Sequence, residues 1–236
     1  MKFPSITLLG LALLAPLPAI AESTSPHHFA VTGWLVSDYV FRGLSQNDED
    51  PALQVGLDYT HDSGFYAGAW ASPVDFNDQS GADLEVDTYV GYTHKLGDSV
   101  TGDVQLIRYN YPGTESGVNL DYNEVIGKLT FIERIILLVG YSNDVFSSGQ
   151  SGLYTNVTVN WSLPYELTLA TGIGHYRFEK GLYSAADGYT DYSVGLSRVW
   201  GKLTTALTYT DTNNSGVTLF GKIAENRVAL SLKYSF

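Results

Sequence analysis

Charged side chains recur in this chain at every second position of otherwise apolar segments, which suits an aqueous conduit better than a catalytic centre. Asp38, Arg42, Asp58, Glu85, Asp87, Glu124, Lys128, Asp191, Arg198, Arg227 and Lys233 all take such positions. Acids and bases lining one lumen set up a transverse field that orients a passing solute and selects its charge. The plainer alternative is that they pair across strands and only fill the interior, because buried charges are nearly always paired. Both readings stay open at each position.

Other chemistry fares worse. His61, His94 and His175 fall on the apolar parity near segment ends, where a lipid hydrolase would need a Ser and an acid beside one of them. Adjacent segments supply no such pair, and an imidazole touching lipid headgroups is the better reading. Asp48-Glu49-Asp50 and the cluster Asp75, Asp78 and Asp83 offer oxygen ligands suited in type to calcium. Their spacing matches no calcium loop, and acidic surface loops are ordinarily solvated. His27-His28 is too isolated to hold a metal, and Gly172-Ile173-Gly174 imitates a nucleotide fingerprint only in part and within a strand. No catalytic residue, metal or cofactor is expected.

The elements that must position the charges follow from period-2 alternation bounded by turn residues. Twelve segments of about ten residues emerge: Phe29–Arg42, Pro51–His61, Gly64–Ser72, Asp83–His94, Ser99–Tyr111, Asp121–Phe131, Ile135–Val145, Gly152–Leu163, Tyr165–Phe178, Asp187–Trp200, Lys202–Thr212 and Glu225–Phe236. Short turns follow the even-numbered segments, such as Asp62-Ser63-Gly64 and Lys95–Asp98. Longer polar loops follow the odd-numbered ones, such as Gly43–Asp50, Pro73–Ala82 and Asn213–Ala224. A soluble sandwich has no reason to segregate loop lengths in this way. An even-stranded transmembrane barrel does, with both termini on the periplasmic side and the long loops outside.

The faces agree. In the second segment Leu53, Val55, Leu57 and Tyr59 oppose Gln54, Gly56, Asp58 and Thr60. In the last, Val228, Leu230, Leu232, Tyr234 and Phe236 oppose Arg227, Ala229, Ser231, Lys233 and Ser235. In a bilayer only a closed sheet satisfies its own backbone, and a dry core would not tolerate the charged faces. Trp161, Trp200, Phe131, Tyr234 and Phe236 are expected in an aromatic girdle on the periplasmic side, with Tyr39, Phe41 and Tyr189 nearer the outer rim. Two segments resist assignment: Leu106, Ile107, Arg108 and Tyr109 do not separate, and Ile135–Val139 is apolar on both sides.

Composition points the same way. Charged residues make up 16% of the chain, against about 25% for a typical soluble domain. Seventeen Tyr and twenty-four Gly stand out, and cysteine is absent. The net charge of −12 argues against nucleic acid and favours cations near the loops or lumen. Residues 1–21 read as a signal peptide: Lys2, an apolar core over Ile6–Ala15, helix-breaking Pro16 and Pro18, then Ala19-Ile20-Ala21 with cleavage after Ala21. Glu22–His28 is a short lead-in, and the barrel occupies 29–236. Strands about 4.8 Å apart and tilted near 40° enclose a backbone diameter of roughly 24 Å for twelve strands. Inward side chains reduce that to a lumen on the order of 10 Å, wide enough for ions and small solutes. A structural or ligand-binding barrel without an open pore is the alternative, and loops of about five to twelve residues are short for an adhesin.

At this point the chain resembles a known family, the bacterial outer-membrane barrels of the TorF type, also catalogued as Gcw_chp. The resemblance rests on Ser37-Asp38-Tyr39-Val40-Phe41-Arg42-Gly43-Leu44-Ser45-Gln46 and on Pro51-Ala52-Leu53-Gln54. It continues through Val74-Asp75-Phe76, Glu85-Val86-Asp87-Thr88-Tyr89-Val90-Gly91-Tyr92, Tyr109-Asn110-Tyr111-Pro112-Gly113, Asp121-Tyr122-Asn123-Glu124 and Tyr141-Ser142-Asn143-Asp144, and fades after about Leu163. It implies an outer-membrane barrel taken to be a porin, without an established substrate. Arg42, Gln46, Glu85, Asp87, Glu124 and Asp144 occupy the family's motif positions, which suggests where selectivity resides. Phe236, with Tyr234, resembles the terminal aromatic signal by which the barrel-assembly machinery selects its clients. The expected partners are therefore outer-membrane lipid, that machinery and small solutes or ions, with a monomer as the default state.

Overall fold

Alternating strands with one apolar face have two ways to bury their edges, and this chain closes the sheet on itself. A computed structural model describes residues 25–236 apart from Gln79; the expected signal segment lies outside the described residues. The strands are β1 (His27–Val36), β2 (Val40–Phe41), β3 (Leu44–Ser45), β4 (Ala52–His61), β5 (Phe65–Pro73), β6 (Leu84–Lys95), β7 (Val100–Asn110) and β8 (Tyr122–Phe131). They continue with β9 (Ile135–Ser142), β10 (Gly152–Leu163), β11 (Leu167–Phe178), β12 (Gly188–Trp200), β13 (Leu203–Thr212) and β14 (Arg227–Ser235); one short helix, α1 (Asn214–Phe220), lies in the last loop.

All strands except β2 and β3 form one closed antiparallel barrel of twelve, each paired with its sequence neighbour. The seam is β1 against β14, with Leu35 opposite Leu232 and Gly33 opposite Tyr234. The other edge of β1 runs along the whole of β4, from His27 opposite His61 to Val36 opposite Ala52. No helix among the described residues is long and apolar enough to cross a membrane; the strands carry the apolar surface instead.

That surface faces outward. Leu53, Val55 and Leu57 on β4, Val104 and Leu106 on β7, and Val228 and Leu230 on β14 are all well exposed. The β7 ambiguity resolves cleanly: Ile107 is buried inside while Arg108 points out and pairs with Asp121 at 3.1 Å. On β9, Ile136 and Gly140 face in and Ile135, Leu137 and Val139 face out. Trp161, Trp200, Tyr234 and Phe236 lie exposed near the end that holds His27 and Phe236. The pairs Phe29–Tyr59 and Phe65–Tyr92, at 5.2 and 4.8 Å between ring centroids, extend the same belt.

Several boundaries differ from the sequence pattern. The first strand begins at His27, within the expected lead-in, and ends at Val36 rather than Arg42. The Ile135 strand ends at Ser142, where a helical turn over Val145–Ser147 begins. The turn before β11 takes Pro164–Glu166 rather than Pro164 alone. The outer-rim aromatics also move: Tyr189 is buried inside the barrel, and Tyr39 and Phe41 leave the wall altogether with the segment after Val36. Tyr141, Tyr192 and Tyr209 are exposed outward tyrosines at that end.

Candidate functional site

The segment after β1 alternates like a strand, yet it turns back on itself inside the lumen. Val40 pairs with Ser45 and Phe41 with Leu44, leaving Arg42-Gly43 as a two-residue turn. Both turn residues have positive φ, 50° and 81°, the geometry of the tight turns that suit hairpins. The hairpin is fastened at its base. Ser45 Oγ donates to Asp38 Oδ1 at 2.6 Å, Gln46 N to Tyr39 O at 2.7 Å, and Ser37 N to Leu230 O on β14 at 2.9 Å. Arg227 Nη1, also on β14, donates to Asp38 Oδ2 at 3.2 Å. Asn47 bridges to Asp75 in the next loop.

The tip reaches the far side of the barrel. With twelve strands in the ring, the wall opposite β1 is β9 and its neighbours. Arg42 Nη1 and Nη2 donate to the two carboxylate oxygens of Glu124 on β8 at 2.9 and 2.7 Å. The guanidinium carbon also lies 4.2 Å from the ring centre of Tyr154 on β10 and 4.9 Å from that of Tyr176 on β11. Neither charged side chain is accessible to solvent beyond 4%. Such a bidentate pair fixes position as well as charge. Gly140 on β9 makes the room, since a Cβ there would come within 2.8 Å of Glu124 Oε1 and 3.1 Å of Arg42 Nη2. Gly43 abuts β12 and β13, where a Cβ would meet Asp191 Cβ at 2.7 Å and Thr212 Cγ2 at 2.9 Å. Tyr189 Oη donates to the carbonyl oxygen of Arg42 at 2.9 Å. The hairpin therefore spans the outer half of the lumen.

An aromatic cap lies above it. Tyr154, Tyr176, Phe178 and Tyr189 form a buried cluster, and Leu44 of the hairpin packs against it with Tyr183, Leu219 and Phe220 from the outer loops. Asn213 caps α1 by accepting from Gly216 N, which holds Leu219 and Phe220 over the mouth. On the opposite side Tyr39 packs edge-on to Trp70, 5.2 Å between centroids. Burial, then the neighbouring carboxylates of Glu85 and Asp87, hold the phenols of Tyr39 and Tyr111 well above the usual tyrosine range. Both remain neutral donors, and Tyr111 Oη donates to Glu85 Oε1 at 3.3 Å.

The periplasmic half is built differently. Asp58 accepts from Tyr89 and Asp103 from Tyr66. The phenol ends of Tyr89 and Tyr66 lie over Gly68 and Gly91 of the adjacent strands, where a Cβ would collide with them. Lys233 Nζ sits 4.7 Å from the centre of the Trp34 ring, and Lys128 stands opposite Asp103 in the β7–β8 register. Half-buried hydroxyls of Thr158, Ser193, Thr208 and Ser231 line the β10–β14 side.

Of the charges expected on the inner face, Asp58, Glu85, Asp87, Glu124, Lys128, Asp191, Arg227 and Lys233 stand on the inward parity of strands. Asp38 and Arg42 are inside too, but on the inserted segment rather than the wall. Arg198 is a correction. It shares the outward face with Leu196 and Trp200, lies 3.8 Å over the Trp200 ring, and reaches Glu166 at 3.1 Å near the terminal end. A long side chain can hold its charge at the interface while its stem lies on apolar surface. Sequence reasoning missed Asp103 and Gln105, both buried on the inner face of β7. Their alternation with Val104 and Leu106 was the available signal.

The rival sites look different in three dimensions. The loops carrying Asp48-Glu49 and Asp75 do meet, but Lys222 lies 3.7 and 3.6 Å from Asp48 and Glu49, and Asn77 donates to both Asp48 and Asp75. His61 contacts Ser63 at 2.7 Å within its own turn, His175 contacts Thr190 at 3.0 Å, and His94 stacks on Tyr92. Among the described residues, no acid is hydrogen-bonded to any of these three imidazoles.

A closed barrel with an apolar exterior, aromatic belts and a polar, charged interior defines a transmembrane β-barrel of the outer-membrane type. Two solved porins share the fold. The NanC porin matches with a TM-score of 0.56 at 15% identity over 89% of this chain and 99% of its own. The KdgM porin matches with 0.54 at 10% identity over 88% and 99%. No curated protein matches. The chain belongs to the Gcw_chp family, described as bacterial protein of unknown function, whose model matches residues 20–236.

Proposed function

We propose that this protein is a narrow outer-membrane channel for passive diffusion of small hydrophilic solutes or ions, with a mild preference for cations. The observation that carries the proposal is the polar, charged inner face of a closed barrel whose outer face is apolar. Two solved porins of the same fold support it. The cation preference rests on the acidic balance of the chain, whose net charge is −12. Reconstitution in a planar bilayer under a salt gradient tests both parts. Conductance no higher than the lipid background would remove the channel, and a reversal potential of anion-selective sign would remove the preference.

One feature favours a second reading, a barrel that binds or merely holds shape without an open pore: the hairpin that crosses the lumen. The same recording decides, because a barrel sealed by the hairpin stays silent.

The proposed location is the outer membrane, reached after signal cleavage following Ala21, with a monomer as the working unit and lipid around it. The outward row of β14 ending at Tyr234 and Phe236 supports recognition by the barrel-assembly machinery. Removing Phe236 is expected to lower the amount of folded protein in the outer membrane; an unchanged amount would set that role aside.

A further inference from the structure

Beyond conduction, the lumen holds an uncompensated pair of acids. Glu85 and Asp87 stand two residues apart on the inner face of β6, 2% and 0% exposed. Residues two apart on a strand share one face and are neighbours there. Among the described residues, no donor reaches either oxygen of Asp87 or Oε2 of Glu85. Each of the other buried acids of the lumen has a partner. Asp38 has Arg227 and Glu124 has Arg42. Asp103 faces Lys128 and accepts from Tyr66, Asp58 faces Lys233 and accepts from Tyr89, and Asp191 takes the Tyr154 hydroxyl. Among the described residues no base forms an ion pair with Glu85 or Asp87, and Arg42 and Arg227 are bonded to other acids. Two buried carboxylates without compensation are too costly to leave alone.

We propose that Glu85 and Asp87 bind one hard divalent cation of the calcium class, beside the hairpin, with the hydroxyls of Tyr39 and Tyr111 near it. Two carboxylates match the charge of such an ion, and hard cations take oxygen ligands of this kind. Among the described residues no set of three or more His, Cys, Asp or Glu side chains converges as a metal site. The ion therefore completes its shell with water and exchanges, with a Kd on the order of 10⁻⁴ to 10⁻³ M, as in weak calcium modules. Because Tyr39 belongs to the hairpin and the acids to the wall, the ion also ties one to the other.

Terbium, a luminescent stand-in for calcium, is excited through nearby tyrosines and so reports the site directly. The full barrel, folded in detergent, is titrated with Tb³⁺ and then challenged with Ca²⁺. Saturable tyrosine-sensitised emission is expected, displaced by Ca²⁺ and lowered at least tenfold in Glu85→Gln/Asp87→Asn. It should persist in the loop variant Asp48→Asn/Glu49→Gln/Asp78→Asn and weaken in Tyr39→Phe, which keeps both carboxylates. Heat-dependent gel migration confirms that each variant is folded, and Asp87→Asn alone serves if the double variant is not. No saturable emission, emission kept without the two acids, emission lost with the loop acids, or indifference to Ca²⁺ would each overturn the site. An infrared band of protonated carboxyl at neutral pH that vanishes in Asp87→Asn would assign the pair to a shared proton instead, and would also overturn it. The outcome is separate from conduction: a conducting barrel that binds no ion loses only this site, and a silent barrel that binds one loses only the channel.

Discussion

The two halves of the lumen solve the same problem, charge inside a barrel, in different ways. In the outer half, charges are clamped by direct ion pairs between an inserted segment and the wall, Arg42 to Glu124 and Arg227 to Asp38. In the periplasmic half, the acids take hydrogen bonds from tyrosines of the wall, Tyr89 to Asp58 and Tyr66 to Asp103. Their bases, Lys233 and Lys128, stand off without a direct bond. The difference teaches where rigidity is located. The outer half is a fitted constriction, and the inner half is a tyrosine-braced vestibule with hydroxyls on one side.

Removing the inserted segment should have the largest effect. Replacing residues 38–48 by a short Gly-Ser linker is expected to raise single-channel conductance several-fold, because the periplasmic half alone then limits flow. Unchanged conductance would mean that the hairpin does not set the constriction.

Next comes the clamp. Arg42→Ala leaves Glu124 buried without its partner, which should cost about 3–5 kcal/mol in urea unfolding of the barrel. Adding Glu124→Gln removes the stranded charge and should recover most of the loss; the non-additivity of the double-mutant cycle measures the pair itself. A purely additive result would show that the two side chains do not act together.

The smallest effects separate inside from outside. Lys233→Glu should shift the reversal potential towards cations, less so as salt rises and screens the field. Arg198→Ala should leave the potential unchanged and alter stability by less than about 1 kcal/mol, as for other exposed pairs. A shift of the potential in Arg198→Ala would return that residue to the lumen.

The wall was legible in the sequence because lipid excludes charge from every second residue, so Val228 to Phe236 or Leu53 to Tyr59 announce their face without help. The inserted hairpin was not. Residues Tyr39 to Arg42 continue the alternation of the first strand, and the end of a wall strand and a strand folded inward carry the same pattern. The one local hint was Gly43 after Arg42, a pair fit for a tight turn at the end of the apparent strand. Arg198 was misplaced for the opposite reason: charge suggested the interior, but near the interface a long side chain can stay outside with its guanidinium over Trp200. Asp103 and Gln105 were hidden by Ile107 beside Arg108, an apolar residue facing in next to a charged one facing out.

The bond between Asp38 and Arg227 joins residues 189 positions apart, the first loop to the last strand. It can form only when β14 zips onto β1, so sealing the cylinder and seating its stopper become a single event. A closure slipped by two residues would keep every side chain on its proper face yet displace Arg227 by about 7 Å along the strand, out of reach of Asp38. Hydrophobic parity is blind to that error. The ion pair is not, and it gives the seam a means of proofreading its own alignment.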